Sequence, residues 1–202
     1  MIQIQKNQQN RLPKEVTVAC SGGVDSMAIV HFLSKKHTVT VAYFNHGNEF
    51  DHYSEQWLTE WCNTNGVNII TANITREKHS SESCEEYWRN QRYEWFHSMN
   101  CEVITAHHLD DCVETWIWSS MHGEGKIIPY RNRNVIRPFR LNTKDVFQSW
   151  CHRHNVEYLT DPSNVNTAHT RNYIRNTMMP HVLRVNPGIN KVIRKKVMAE
   201  FP

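Results

Sequence analysis

Two rhythms of apolar and polar positions run through the first part of the chain. Short β-branched or apolar runs at 16–20, 38–44, 67–71 and 102–106 read as strands. Between them lie stretches with helical spacing at 25–34, 53–64, 82–99 and 110–121; in the second, Trp57, Leu58 and Trp61 share one side. Strand and helix in alternation predict a parallel sheet covered on both faces. Past Gly123 the rhythm changes. Residues 123–134 are loop-like and basic, 135–139 offer one more strand, and 143–154 read as a helix with Thr143 placed to cap it. Asp161-Pro162-Ser163-Asn164 is a turn. Residues 168–179 read as a helix expected to stop at Pro180, and a last basic helix carrying Lys191, Arg194, Lys195 and Lys196 follows Pro187-Gly188. The pattern predicts an α/β, Rossmann-like fold: a five-stranded parallel sheet with helices on both faces over 1–140, then a small helical segment over 141–202.

In such sheets ligands bind beyond the carboxyl ends of the strands. Three unusual segments follow three of those ends here: 21–26, 45–47 and 107–114. Chain order alone therefore predicts that they converge.

Composition narrows the class. With 202 residues, 39% of them hydrophobic, the chain has enough apolar content for one globular core. Seven each of Trp, Tyr and Phe exclude a disordered chain. A net charge of +3 permits a nucleic-acid partner without arguing for one, although bases crowd between Lys126 and Lys196. None of the six cysteines has a Cys-x-x-Cys partner, so zinc-ribbon, iron–sulfur and thioredoxin-type sites lack their usual signal. The first eleven residues are polar, and no apolar run is long enough to span a membrane. A cytoplasmic protein with free thiols and no membrane partner is the expectation; oligomeric state stays open.

The strongest chemical signal is Ser21-Gly22-Gly23-Val24-Asp25-Ser26, between a buried strand and a helix. Two glycines let the backbone approach a ligand without Cβ obstruction. Successive N–H groups and a helix N-terminus then face an anion. Ser21 and Ser26 add hydroxyl donors. Asp25 suits a phosphate only with Mg²⁺ between them, so nucleotide phosphate plus metal is the reading, against a plain strand-to-helix turn. No Lys follows the glycines, which excludes a Walker A loop.

That string resembles the PP-loop signature, in which attack falls on the innermost phosphate of ATP and pyrophosphate leaves. Further segments are similar to the tRNA(Ile)-lysidine synthetase family: Asn45-His46-Gly47 after a strand, Arg89-Asn90-Gln91-Arg92-Tyr93 on a helix, His107-His108-Leu109-Asp110-Asp111-Cys112-Val113-Glu114-Thr115, Arg137-Pro138, Asp161-Pro162-Ser163-Asn164, and Arg171-Asn172-Tyr173-Ile174-Arg175. The resemblance implies a PP-loop (adenine nucleotide alpha hydrolase-like) fold, ATP and Mg²⁺ as cofactors, and tRNA and free L-lysine as substrates. It implies adenylation at carbon 2 of a wobble cytidine, then displacement of AMP by the ε-amine of lysine. It further implies a compact form without the C-terminal domains of some members.

On this resemblance the nucleotide site comprises Ser21, Gly22, Gly23, Val24, Asp25, Ser26, Asn45, His46 and His107, with Asp25 and Asp111 as metal ligands. Asp25, Arg89, Asp111 and Glu114 are the catalytic candidates; Arg92, Arg137, Asn164, Arg171 and Arg175 are assigned to RNA. The residues alone leave alternatives. Arg89 and Arg92 share a helix face that is equally readable as solvated. Asp111 and Glu114 suit Mg²⁺, an ammonium or a proton, or a plain acidic helix start, the role expected for Asp110. Asn164, Arg171 and Arg175 suit an Asx turn and helix cap as well as RNA. Thirteen histidines make chance clusters common, and zinc is not expected at His46, His107 and His108.

Three departures stand out. Asn48-Glu49 follows His46-Gly47, His122-Gly123-Glu124-Gly125 stands where an Arg-Gly-x-Gly loop is usual, and Cys112 replaces a common Gln. Competing readings are a PP-loop RNA thiolase, for which Cys112 is the nearby cysteine, and a nucleotide- or RNA-binding module without catalysis.

Overall fold

Val16, Val18 and Cys20 alternate inward along β1 (Glu15–Ala19) and just beyond it, and β1 becomes the middle of the sheet. A computed structural model describes residues 1–5, 12–165 and 170–200; the side chains of Asn164 and Val165 also lie outside the description. β1 is flanked in parallel by β2 (Thr38–Asn45) and β4 (Val103–Ile104). β3 (Asn68–Asn73) extends the sheet beyond β2, and β6 (Val135–Ile136) extends it beyond β4. The order is β3-β2-β1-β4-β6-β5, so six strands replace the five expected. The extra strand, β5 (Arg131–Asn132), pairs antiparallel with β6 across Arg133, which sits at φ 53°. A two-residue strand in a basic loop carries no hydrophobic alternation by which to find it.

Strand order reverses between β1 and β4, and such a switch point opens a crevice at the carboxyl edge. The helices fill both faces. α1 (Val24–Ser34) buries Met27, Ala28, Ile29, Val30 and Leu33. α2 (Glu49–Asn65) begins a turn earlier than its apolar spacing indicates, because Asn48 caps it by accepting from Asp51 N–H at 2.9 Å. α3 (Cys84–Ser98) is capped by Ser83, and α4 (Leu109–Met121) follows β4.

Two cores result. The principal one joins the sheet to α1, α2 and α5 (Lys144–His154), with Phe139, Phe147 and Cys151 packed against α1. The second sets Leu109, Cys112, Val113 and Ile117 of α4 against Ile174, Ile189, Ile193 and Val197. α5 thus belongs by packing with the sheet, while the last helices pack on α4. Thr143 occupies the N-cap of α5 but makes no side-chain cap; Asp110 Oδ2 accepts from Lys144 N–H at 2.8 Å instead. Asp110 therefore caps a helix remote in sequence.

Pro180 does not end the helical run as expected. After α6 (Thr170–Tyr173), residues Ile174–Met178 form a π-helical turn, and α7 (Met179–Val185) continues through Pro180. The wider turn restarts the helix, so Pro180 falls in a first turn, where its missing N–H matters least. α8 (Ile189–Ala199) closes the described chain. Residues 168–169 of the expected helix lie outside the described residues. Among the described residues no helix is long and apolar enough to cross a membrane.

Candidate functional site

β1 delivers the chain to Ser21 and Gly22, and Gly22 turns it with φ +79°, a conformation costly for a residue with a Cβ. A Cβ there would also stand 3.3 Å from Leu159 Cδ1. The Leu159 N–H donates to Gly22 O at 2.8 Å, and Gly23 bridges to Leu159, so the segment after α5 braces the loop from behind. Gly23 is the N-cap of α1 and has no side chain to occupy the first-turn amides. Ser26 Oγ turns back to Gly23 O at 2.9 Å. Backbone N–H groups at a strand-to-helix junction of this kind can face an anion.

A cavity of about 470 Å³ opens beside it, at the switch point. The structure brings together Ser21, Gly23, Asp25, Ser26, His46, Arg89, Arg92, His107, Asp111, Arg171 and Arg175 along its walls. Arg89, Arg92, Arg171 and Arg175 stand on those walls with Asp25 and Asp111, so arginines outnumber aspartates there. Gly22 and Val24 shape the loop without lining the cavity.

Asn45 lies behind the cavity and does structural work. Its Oδ1 accepts from Gly47 N–H at 2.7 Å and its Nδ2 donates to Glu55 at 2.6 Å. His46 is held at both nitrogens. Arg92 Nη1 donates to Nε2 at 3.2 Å, so Nδ1–H faces Asp51 Oδ2 at 3.0 Å. Arg89 lies over the Tyr93 ring at 4.5 Å. His107 Nδ1 is 2.8 Å from Thr105 Oγ1. Burial, against the pull of Asp111 and with Arg137, Arg171 and Arg89 nearby, drives its pKa down to about 3. It is a neutral ring at physiological pH.

His108, which the sequence reading left without a role, organises the acidic side of the site. It is 1% exposed, with Nε2 3.6 Å from Asp25 and from Asp111 and Nδ1 3.4 Å from Asp110. Burial opposes its charge, but Asp111, Asp110 and Asp25 outweigh burial and raise its pKa to about 10. Asp111 N–H also approaches Nδ1 at 3.3 Å, as in a helix cap. A protonated ring cannot accept there; with three carboxylates around it, Nδ1–H is directed at Asp110. The cap of α4 then rests on Asp111 Oδ2, which accepts from His108 N–H at 2.9 Å. The signal was present as a residue directly ahead of a helix and three before an acid, but nothing in that spacing reveals the third partner, Asp25.

Asp111 and Glu114, three apart on α4, meet Arg171 and Arg175, four apart on the facing helix. Arg171 Nη2 reaches Asp111 at 2.6 Å and its Nε reaches Glu114 at 3.0 Å. Arg175 Nε reaches Glu114 at 2.7 Å and its Nη2 reaches Asp111 at 3.3 Å. Burial pushes against the charge of Asp111, but His108 and Arg171 hold its carboxyl well below the usual range. The two arginines expected on RNA are thus engaged with the two carboxylates expected in catalysis.

Arg137 is a correction. It is 2% exposed, donating to Pro129 O at 2.9 Å and Tyr93 Oη at 2.9 Å, so it supports the cavity wall from inside and does not reach RNA. The Asn164 side chain lies outside the described residues. For Mg²⁺ the donor chemistry fits: Asp25 Oδ1 is buried without a hydrogen-bond partner and stands beside the anion loop. Mg²⁺ is held by one or two carboxylates together with substrate phosphates and water. Among the described residues no group of three or more His, Cys, Asp or Glu side chains is arranged to hold a metal by itself.

A family model described as the PP-loop domain matches residues 1–182. Among curated proteins, the tRNA(Ile)-lysidine synthase of Lactiplantibacillus plantarum is 30% identical over 195 residues, covering 87% of this chain and 44% of that protein. That of Thermotoga maritima is 26% identical over 202 residues, covering 91% and 49%. The chain thus spans about half the length of these two relatives. Among solved structures, an NH3-dependent NAD synthetase from Campylobacter jejuni aligns over 95% of this chain and 87% of its own with a TM-score of 0.49 and 15% identity, too loose a likeness to bear on function.

Proposed function

Since this chain belongs to the PP-loop domain family, we propose that it uses ATP to ligate L-lysine to carbon 2 of the wobble cytidine of a tRNA(Ile), releasing pyrophosphate and AMP. The observation that carries the reading is the junction at Gly22 and Gly23, braced by Leu159 and opening on an arginine-lined cavity, next to relatives named tRNA(Ile)-lysidine synthases.

In the proposed first step the cytidine oxygen on carbon 2 attacks the α-phosphorus of ATP and pyrophosphate leaves. Backbone amides of the loop and Ser21 and Ser26 bind the departing diphosphate. Asp25 and Asp111 are the candidate Mg²⁺ ligands, and the metal supplies charge neutralisation to the phosphates. Arg89 and Arg92 counter the charge of the reacting phosphate, and His46 and His107 face the nucleotide. In the second step the ε-amine attacks carbon 2 and the oxygen leaves with AMP. Lysine arrives as an ammonium with a pKa of about 10.4 and must lose a proton. Glu114 is the candidate acceptor, and Asp111 the candidate grip for the ammonium. Arg171 and Arg175 then exchange carboxylate partners for RNA phosphate. Residues 1–140 serve the nucleotide and 141–202 complete the site and meet the RNA. The cytoplasm, where tRNA and ATP are found, is the proposed location.

A thiolase-type reaction has less support, because Cys112 is 0% exposed and burial pushes its thiol up to about 12. One observation favours a binding module: the acidic pair is already neutralised by Arg171 and Arg175. Incubation with ATP, Mg²⁺, lysine and unmodified tRNA(Ile) separates the readings. Lysine-dependent AMP release and a tRNA mass gain of lysine minus water are expected, and Asp25→Ala is expected to abolish both while the fold survives. Tight ATP binding with no AMP under any substrate would establish the binding module instead.

A further inference from the structure

From Pro162 to Ala199 the chain carries seven Lys and Arg and no Asp or Glu, although acids make up 20 of its 202 residues. The first two of these bases, Arg171 and Arg175, line the large cavity and pair with Asp111 and Glu114. The others follow on α7 and α8. Ile174, between the two arginines, and Ile193, between Lys191 and Lys195, bury in one cluster over α4, so both cationic segments stand on the same support. Ile189, Ile193 and Val197 form the inner side of α8. Helical spacing puts Lys191 and Lys195 on the side directly opposite, about 6 Å apart along the axis. Lys196 is exposed beside them.

These three charges are uncommitted. Elsewhere on the surface cations are matched, Arg76 with Glu82, Lys126 with Glu124 and Arg131 with Glu102. Arg194 of α8 is engaged too, donating to Leu141 O at 2.8 Å and Gln3 Oε1 at 3.3 Å. Among the described residues the side chains of Lys191, Lys195 and Lys196 meet neither a carboxylate nor a hydrogen-bond acceptor. Like charges four apart on a helix repel, and a polyanion laid across them relieves the repulsion. We propose that the outer face of α8 holds the phosphate backbone of the RNA substrate, away from the nucleotide that reacts. The inference rests on the RNA substrate proposed above and adds a second contact surface to it. An anionic membrane is the other polyanion of this kind, but an interfacial helix needs a free apolar side, and that of α8 is already buried on α4. Lysines meet phosphates as point charges, so the face adds affinity and orientation without reading sequence.

The test is binding of fluorescein-labelled unmodified tRNA(Ile) to the full chain, read by anisotropy across a salt series. The triple variant Lys191→Gln/Lys195→Gln/Lys196→Gln is expected to lower the slope of log affinity against log salt by about 2–3 and to bind roughly 100-fold more weakly at about 0.1 M salt, the difference closing near 1 M. Lys191→Arg/Lys195→Arg/Lys196→Arg should keep the original slope. Lys14→Gln/Lys35→Gln/Lys36→Gln removes the same charge from the amino edge of the sheet, ahead of β1 and β2, and should leave the slope unchanged. ATP binding by the α8 variant should match that of the unmodified protein and its Tm should not fall, which reports an intact fold. Equal slope changes in the two Gln triples would reduce the effect to net charge and overturn the surface, as would tRNA binding by the α8 variant equal to that of the unmodified protein; the proposed reaction stands in both cases. Binding to phosphatidylserine vesicles that the α8 substitutions abolish while tRNA binding persists would overturn it in favour of lipid. ATP binding without any tRNA binding by the unmodified protein at low salt overturns the surface and the proposed reaction together.

Discussion

Gly22 carries the conformation on which the anion loop depends. Ala at this position must adopt φ +79° and place a methyl 3.3 Å from Leu159 Cδ1, which itself is fixed by its N–H bond to Gly22 O. Gly22→Ala is expected to cost about 1–2 kcal/mol from the backbone alone. It should also weaken ATP binding more than that figure, because the loop amides move with the turn; thermal unfolding and ATP titration of the same variant check this. His108 sets the pH behaviour. Its folded pKa, raised to about 10, lies above the ordinary value of 6.5. The stability it contributes is therefore complete below about 6.5 and is lost as pH rises through 10. Asp110 and Asp111 lie below their ordinary values, so their contribution is lost as pH falls through the acid range. His108→Asn should flatten the alkaline limb of a Tm-against-pH curve and also weaken the acidic limb, because His108 is one of the groups that hold Asp110 and Asp111 below their ordinary values. An unchanged alkaline limb would remove His108 from this role.

At the scale of elements, α4 and the α6–π-turn segment are joined by four charges whose partners come from opposite ends of the motif list. Glu114 is 4% exposed, and Arg175→Ala leaves it with Arg171 Nε alone. Leaving a buried acceptor short of donors costs about 1–3 kcal/mol, or ~2–12 °C in Tm for a chain of this size. On the proposed function, tRNA use should fall further than ATP binding, since the loop proposed to hold ATP is braced by Leu159 and not by this segment; a variant impaired equally in both would contradict that division. The helices and most strands of the first half were legible because they are long and periodic; β4, two residues long, was legible only as part of the apolar run at 102–106. α2 was read short because its first turn is polar and depends on the Asn48 cap. The π-turn and the passage through Pro180 were not legible, because they depend on Ile174 being drawn into the core under α4.

Across the whole molecule, Arg140 ties the beginning, middle and end of the chain. It is 0% exposed and donates to Ile128 O at 2.6 Å, Glu200 Oε2 at 2.5 Å and Gln5 Oε1 at 3.2 Å, with its guanidinium 5.4 Å from the Tyr130 ring centre. Arg140→Ala is expected to destabilise by about 3 kcal/mol, from lost packing and stranded acceptors together. Arg140→Met, which keeps volume, should recover part of that in denaturant unfolding; equal losses would assign the whole effect to charge. In the sequence Arg140 was one of a crowd of bases, and Arg137 was placed on RNA; neither reading survives the depth at which both side chains sit.

What the sequence determined by itself is local and periodic. The strand-to-helix junction with two glycines, the alternation that makes a parallel sheet, and the three segments at strand ends all follow from spacing, since spacing sets which side chains share a face and where a turn is affordable. Tertiary structure alone decided the charge pairing. Asp25 meets His108 across the switch point, Asp110 caps α5, and Arg171 and Arg175 settle on Asp111 and Glu114. Ionic partners are chosen by burial and distance in space, and a linear order of residues contains neither.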